Sequence, residues 1–209
     1  MSITPASVQD EPLSLADRAF LQLQDRLIFL DIPPGAPLNE GRLSQELHLG
    51  RTPLREALKR LESEHLVVTY SRRGTFATTV DITALSEISQ VREVLEPLAS
   101  RLASERRGGS VRSQLEELRD RLADPENERP DRDEALRWDV RIHRAIYAAA
   151  GNSHLQATLE RYSNLATRIW CVVADRIPEL QEHITVHSAL LTAVLDGDAE
   201  EAGTIMLTH

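Results

Sequence analysis

The stretch GRTPLREALKRLESEHLV, residues 50–67, combines helical periodicity with a cluster of basic side chains. Its apolar residues recur at the spacing i, i+3, i+4 and i+7, which predicts a helix with one face against a core. That face consists of Leu54, Ala57, Leu58 and Leu61. Pro53 suits the first turn, where its missing N–H has no helical partner. The flank away from the apolar face carries Arg51, Thr52, Arg55 and Lys59.

The basic flank lies in the N-terminal half of the helix, where a recognition helix presents side chains to a major groove. Helix N-terminal amides favour phosphate, and arginine can bind guanine through two hydrogen bonds. The alternative is a solvated basic face, which is what most charged helix flanks are. The pattern of this helix alone does not separate the two interpretations, but its neighbours favour DNA binding.

The neighbouring segments predict a winged helix-turn-helix over residues 14–79, preceded by a disordered tail over residues 1–13. Ser14 can cap a first helix that ends before the Pro/Gly cluster DIPPGAP, and a short helix follows over about residues 40–47. The segment 66–80 predicts two short strands rich in Val and Thr, joined at an Arg-Arg-Gly turn.

The charge of the chain is unevenly distributed around a net value of −9. Residues 14–79 carry nine Arg and Lys against eight Asp and Glu, whereas residues 80–209 carry fifteen against twenty-three. This asymmetry predicts two modules, of which only the first can approach a polyanion. The single cysteine, Cys171, excludes an intramolecular disulfide, and no segment is apolar enough for a membrane span. These features predict a soluble cytoplasmic protein without a membrane partner.

The second module, residues 80–209, has helical periodicity throughout and no strand pattern, and Asp81 can cap its first helix. We expect an all-α antiparallel bundle of about six helices, so that the protein is mainly α. The breaks between helices are expected at RGGS, DPENERPD, AGNSH, IPEL and DGD.

One carboxylate and three imidazoles lie on apolar stripes of three predicted helices in this bundle: Asp139, His143, His187 and His209. Buried polar groups need partners, and side chains from several helices build the metal sites of such bundles. Asp139 and His143, four residues apart, can bind one ion. The alternative is four separately satisfied core groups. His183 is also four residues from His187, so the spacing leaves its contribution open.

Two further polar residues are candidates for binding an effector. Arg92 shares a stripe with Ile88 and Ala99, which directs a guanidinium inward. It can bind a small carboxylate, or it can pair with Asp139 or another acid. Asn152 is a weaker candidate, because it can equally cap the helix that follows it.

The segment PPGAPLNEGRLSQELHLGRTPLREALKRLESEHLVVTYSRRGTFAT resembles the winged-helix domain of the GntR family of bacterial transcription regulators. The resemblance implies that Arg51, Thr52 and Arg55 contact operator bases and phosphates. It also implies that Arg73 and Gly74 form the tip of a wing on the minor-groove side. Lys59 is expected beside a phosphate.

Two positions depart from the family pattern. Gly50 replaces the usual Ser or Thr, which removes a side-chain cap, although glycine is tolerated there. His65 replaces the usual Gly after the recognition helix, at a position that we expect to need a left-handed backbone.

The second module resembles the FCD effector domain of the FadR subfamily in VREVLEPLASRLA, DVRIHRAIYAAAGNSHL and HSALLTAVLDGDAEEAGTIMLTH. The resemblance implies a metal bound by an Asp and three His, which correspond to Asp139, His143, His187 and His209. His183 then lies either beside the site or on the surface, and Arg92 helps to bind a small organic acid. Imidazole-rich ligands suit Zn²⁺ best, with Ni²⁺ or Mn²⁺ as alternatives.

Together these features predict a ligand-responsive repressor that binds a pseudo-palindromic DNA operator as a homodimer. A small carboxylate bound near the metal would favour dimers whose two DNA-binding domains do not fit the half-site spacing of the operator. One alternative is a metal-dependent hydrolase or lyase that uses the Asp/His centre. The other is a regulator whose metal is purely structural, or whose effector is a larger acyl group.

Overall fold

The computed structural model describes residues 13–123, 131–173 and 183–209, without the side chains of residues 183–185. The expected tail over residues 1–12, and most of the expected breaks DPENERPD and IPEL, lie outside the described residues. The chain divides into two compact units, Met1–Thr79 and Val80–His209. Within the described residues, no helix has both the length and the apolar character needed to cross a membrane.

The first unit contains three helices and a small sheet, as the sequence predicts. Its elements, in chain order, are α1 Leu15–Ile28, β1 Pro37–Leu38, α2 Glu40–Glu46, α3 Arg51–Ser63, β2 Val67–Tyr70 and β3 Gly74–Ala77. Ser14 caps α1 by accepting a hydrogen bond from the backbone N–H of Asp17, which confirms the predicted cap. The predicted apolar face of α3 is confirmed, since all four of its residues are buried.

The sheet has three antiparallel strands in the order β1-β3-β2, one more than the sequence predicts. The additional strand pairs Pro37 with Phe76 and Leu38 with Thr75. Two residues are too few to show a period-2 pattern, and Pro37 follows a Pro/Gly cluster that indicates a loop. This segment is a strand only because it pairs with β3. The pairing holds the wing beside the first turn of α2.

The chain leaves α3 through a left-handed residue, as expected. His65 has φ +61°, and Leu66 donates its backbone N–H to the carbonyl of Leu61 at 3.0 Å. This bond, from the sixth residue of the motif to the first, is typical of a Schellman C-cap. Glycine is the usual left-handed residue in that motif. The imidazole of His65 is exposed, so its packing contributes little to offset the cost of the left-handed backbone.

Replacing His65 with glycine is therefore expected to stabilise the first unit. The left-handed conformation costs a non-glycine residue about 1–2 kcal/mol, and glycine loses about 0.5–1 kcal/mol of additional chain entropy on folding. We expect the free energy of unfolding to rise by about 0.5–1 kcal/mol in urea denaturation. His154→Gly in the first turn of a regular helix is the control and should destabilise by about 1 kcal/mol. A His65→Gly protein no more stable than wild type would contradict the argument.

The second unit is all helical in its described residues, and their six α-helices agree with the expected bundle. They are α4 Leu85–Glu105, α5 Arg112–Ala123, α6 Arg132–Ala149, α7 Ser153–Val173, α8 His183–Asp196 and α9 Ala199–Thr208. Asp81 caps a 3-10 turn, Ile82–Ala84, that leads directly into α4. The helix α4 contacts α6, α7, α8 and α9, so it is the central element of the bundle.

The main core of this unit joins α5, α6, α8 and α9 through Leu, Ile, Val and Ala side chains. A smaller core packs Tyr147 of α6 against Ala99 of α4 and Leu159 of α7. Pro97 lies inside α4 and is buried. A proline there removes a helical hydrogen bond, and packing on several sides keeps the helix continuous across it.

Candidate functional site

The polar flank of α3 is exposed along its length. Arg51, Thr52, Arg55 and Lys59 are all solvent accessible, while the opposite face is buried. Gly50 is the N-cap, with φ −68° and ψ 162°, and it makes no side-chain capping bond. The first amides of α3 therefore lack the side-chain partner that Ser or Thr would provide, and they can donate hydrogen bonds to an anion.

The wing and the start of α3 meet at one surface groove. Arg51 from α3 lines it together with Arg73, the last residue of the turn between β2 and β3, and Gly74, the first residue of β3. Gly74 has φ +93°, which the tight wing turn requires and glycine permits. The structure thus brings together three of the predicted DNA-contacting residues, although Arg51 precedes the other two by more than twenty positions in the sequence.

The remaining basic residues of α3 differ in their partners. Arg55 donates from Nε to Oε2 of Glu40 on α2 at 2.8 Å, so the bond leaves the outer edge of its guanidinium exposed. Arg60 instead pairs with Asp17 of α1 at 2.6 Å and stacks on Phe20 at 4.0 Å. Arg60 thus ties α3 to α1 on the other side of the helix. Sequence reasoning did not identify Glu40 as the partner of Arg55.

The second unit brings Asp139, His143, His187 and His209 into one cluster. Their candidate ligand atoms all lie within 4.8 Å of one another. Oδ1 of Asp139 is at the centre of the set, 3.6 Å from Nε2 of His143, 3.2 Å from Nε2 of His187 and 3.6 Å from Nε2 of His209. Helix α6 contributes Asp139 and His143, α8 contributes His187, and the residue after α9 contributes His209.

The chemistry of the cluster fits a transition-metal ion. The Nε2 atoms of His143 and His187 are completely buried and make no hydrogen bond of acceptable geometry. Buried polar atoms without partners are rare and costly in proteins. Three imidazoles and one carboxylate at these separations form a borderline-soft donor set that suits Zn²⁺, Ni²⁺ or Mn²⁺. The residues present therefore fit the metal that the sequence predicts.

The electrostatics of the cluster are strongly coupled. Burial raises the pKa of Asp139, but His143 and the other two imidazoles more than compensate and hold it well below its ordinary value. Burial lowers the pKa of His187, which favours the neutral form that binds metals. These two shifts favour the forms that bind a metal, whereas Asp139 and Glu96 outweigh burial at His143 and raise its pKa.

A second group of polar side chains lies on the far side of His143. Nδ1 of His143 is 3.1 Å from the hydroxyl of Tyr147 and 3.3 Å from Oε1 of Glu96. Tyr147 donates a hydrogen bond to Glu96, which also pairs with Nη2 of Arg92 at 2.9 Å. Sequence reasoning missed Glu96 and Tyr147, although each lies four residues after a residue that it singled out.

A cavity of about 410 Å³ opens beside the cluster, a volume within the usual range for small-molecule sites. Asp139, His187 and His209 line its inner side, and Arg92, Thr167 and Trp170 line other parts of the wall. Arg92 thus faces the cavity and also pairs with an acid. That acid is Glu96, which agrees with the sequence-based alternative of a pair with Asp139 or another acid.

The two remaining candidates have different outcomes. Oδ1 of Asn152 accepts a hydrogen bond from the backbone N–H of Leu155 at 3.1 Å, so this side chain caps α7. Asn152 is not among the residues that line the cavity beside the Asp/His cluster, so the structure supports the cap, which is the alternative role that the sequence allowed. The physical reason is that the cap directs its amide to the helix terminus. The side chain of His183 lies outside the described residues.

Comparison with known proteins agrees with the architecture. Residues 15–77 match the gntR family of bacterial regulatory proteins, and residues 87–209 match the FCD domain. The Nta operon transcriptional regulator of Aminobacter aminovorans is 29% identical over 178 residues, covering 84% of this chain and 81% of that protein.

Two further similarities extend over nearly the whole chain. The galactonate operon transcriptional repressor of Escherichia coli K12 is 26% identical over 220 aligned residues, covering 93% of this chain and 94% of its own. The structure of Escherichia coli McbR/YncC matches with a TM-score of 0.73 at 25% identity, covering 94% of this chain and 95% of that one. The chain therefore belongs to the GntR family of DNA-binding bacterial transcription regulators and carries a C-terminal FCD domain.

Proposed function

We propose that the protein is a cytoplasmic repressor that binds a pseudo-palindromic operator as a homodimer and releases it when a small organic acid binds the FCD domain. The acid would bind in the cavity beside a divalent metal, most suitably Zn²⁺. The observation that carries this proposal is the convergence of three imidazoles and one carboxylate at the wall of a ligand-sized cavity.

The DNA-binding part of the proposal assigns a role to each exposed basic residue. Arg51, Thr52 and Arg55 would read bases and phosphates in the major groove, with Lys59 beside a phosphate. Arg73 and Gly74 would reach the backbone on the minor-groove side. The shared groove of Arg51 and the wing supports this assignment, because one DNA backbone could contact both.

The effector part of the proposal rests on charge. Asp139, His143, His187 and His209 would hold the metal, whose positive charge would attract a carboxylate to the inner end of the cavity. Arg92 lies on the same cavity wall and offers a guanidinium, which can bind a carboxylate through two hydrogen bonds. The cavity volume suits a small acid better than a long acyl chain.

Repression is proposed by analogy with relatives. The galactonate operon repressor and two further Escherichia coli relatives, GlaR and RspR, are named as repressors. An enzymatic role is a weaker candidate, because the relatives of this chain are named as transcription regulators.

A carboxylate screen with and without zinc tests the proposal. Small mono- and dicarboxylates are added to zinc-loaded and chelator-treated protein, and the unfolding temperature is measured together with the affinity for operator DNA. An acid present at 100 times its Kd is expected to stabilise the zinc-loaded protein by about 2.7 kcal/mol. The same acid should weaken operator binding, and the corresponding neutral amide should do neither.

Other outcomes would identify the competing functions. Acid binding that is unchanged by chelation would show that the metal does not sense the effector. Loss of the folded dimer on chelation, without any response to acids, would indicate a structural metal. Consumption of an acid by the zinc-loaded protein would favour a hydrolase or lyase.

A further inference from the structure

The two nitrogens of the His143 imidazole face different surroundings. Nε2 faces Asp139 and has no hydrogen bond, whereas Nδ1 faces the Tyr147 hydroxyl at 3.1 Å and Glu96 at 3.3 Å. His143 and Tyr147 are completely buried, and Glu96 is only 7% exposed. The hydrogen bonds of the imidazole are therefore determined by these neighbouring side chains.

The hydrogen bonds of Tyr147 identify that nitrogen. The hydroxyl of Tyr147 has one hydrogen, which it donates to the carboxylate of Glu96. Its oxygen can then only accept from His143, so Nδ1 of His143 must carry a hydrogen. Burial and the charge of Glu96 hold the pKa of Tyr147 well above its ordinary value, which keeps the phenol protonated. Nε2 is the nitrogen left to bind a metal.

Glu96 is itself held by a charged partner. A buried carboxylate is costly unless it is paired and hydrogen bonded. Arg92 supplies the opposite charge from one helical turn earlier on α4, with Nη2 at 2.9 Å and Nε at 3.0 Å from Oε1 of Glu96. Both Arg92 and Glu96 also line the cavity. A continuous series of contacts thus runs from the cavity wall through Glu96 to His143.

We propose that Glu96 is a positioning residue for the metal centre, holding His143 with Nδ1–H directed away from the site and Nε2 directed toward Asp139. Arg92 acts on the same imidazole through Glu96. The inference rests on the proposed metal site formed by Asp139 and the three histidines. Ligand histidines commonly donate their second N–H to a carboxylate, which fixes the ring and increases its basicity.

Glu96→Gln tests the positioning role, because it preserves shape and removes the charge. Zinc affinity, measured by competition with a chelator, is expected to fall about 10- to 100-fold. Tyr147→Phe removes the hydroxyl that bridges His143 and Glu96, and it should also lower zinc affinity. Glu105→Gln, an exposed residue at the end of α4, is the matched control and should bind zinc as wild type does. Circular dichroism and the unfolding temperature of the metal-free proteins verify that each variant folds.

A spectroscopic readout distinguishes positioning from general destabilisation. In zinc-loaded protein with ¹⁵N-labelled histidine, Nδ1 of His143 should show a directly attached, slowly exchanging proton, with the signal assigned from a His143→Asn variant. In Glu96→Gln that proton should exchange faster and its shift should move. The signals of His187, which does not contact Glu96, should change less.

A double-mutant cycle tests the role of Arg92. Arg92→Gln is expected to weaken zinc binding less than Glu96→Gln does, because Tyr147 still binds the carboxylate. The double variant should bind zinc no more weakly than Glu96→Gln alone, since both changes act on one group. Additive losses would overturn the conclusion that Arg92 acts through Glu96.

The outcomes separate this inference from the proposed function. If wild type binds zinc, Asp139→Asn loses it, and Glu96→Gln has wild-type affinity and an unchanged His143 proton, the inference is wrong and the metal site stands. If wild type binds none of zinc, nickel or manganese, both the inference and the metal part of the proposed function are wrong.

Discussion

Arg55→Ala is expected to weaken operator binding by about 30-fold or more, because a bidentate contact to a base contributes about 1–3 kcal/mol and a homodimer makes it twice. The bond from Nε to Glu40 leaves both Nη groups of Arg55 for the DNA. Glu40 also fixes the direction of the guanidinium. A fixed guanidinium favours a directed hydrogen bond to one base over a non-specific attraction to phosphates. Fluorescence anisotropy with labelled operator DNA at a fixed salt concentration measures the loss.

Arg60→Ala is the matched control, since it removes an arginine from the same helix. Arg60 pairs with Asp17 and stacks on Phe20 inside the first unit, so it is not available to DNA in the same way. Its loss should lower stability slightly and leave operator affinity within about threefold of wild type. If Arg55→Ala bound the operator as tightly as the Arg60→Ala protein does, α3 would not read DNA through this flank.

Asp139→Asn is expected to have the largest effect in the second unit. Its carboxylate lies within 3.6 Å of a nitrogen of each of the three histidines, so its charge acts on all three. Loss of this charge should lower zinc affinity by more than about 100-fold, beyond the effect of changing an outer partner. Zinc at 1,000 times its Kd should stabilise wild type by about 4 kcal/mol and give the variant almost no stabilisation.

Thermal unfolding with and without zinc, combined with chelator competition, measures both effects. Asp133→Asn provides the control, because it removes an exposed carboxylate from the first turn of the same helix. That variant should bind zinc as wild type does. Equal zinc stabilisation of the Asp139→Asn and Asp133→Asn proteins would show that the cluster is a set of core polar groups instead of a metal site.

The local features of the fold could be predicted from the sequence because near neighbours encode them. The apolar face of α3 follows from the spacing of Leu54 to Leu61, and the caps at Ser14 and Asp81 follow from side chains that reach their own helix start. The left-handed backbone at His65 follows from its place one residue beyond the C-cap. Each of these interactions spans only a few residues.

Other features could not be decided from the sequence, either because they depend on distant pairing or because one residue had two possible roles. The strand β1 exists only because Pro37 and Leu38 pair with β3, almost forty residues later. Asn152 could be either a cap or a pocket residue by sequence, and the bond from Leu155 makes it a cap. Likewise, the sequence allowed Arg92 either to bind an effector or to pair with an acid. In the structure Arg92 lines the cavity and also pairs with Glu96.

The sequence by itself determined which polar side chains lie on the apolar faces of the bundle helices, because helical periodicity assigns each residue to a face. Only the tertiary structure decided that Asp139, His143, His187 and His209 meet within 4.8 Å, since that depends on how three helices are packed and on where α9 ends. The same packing placed Glu96 behind His143, on the side away from the cluster. Periodicity acts along one helix, whereas a site of several helices is set by the angles and distances between them.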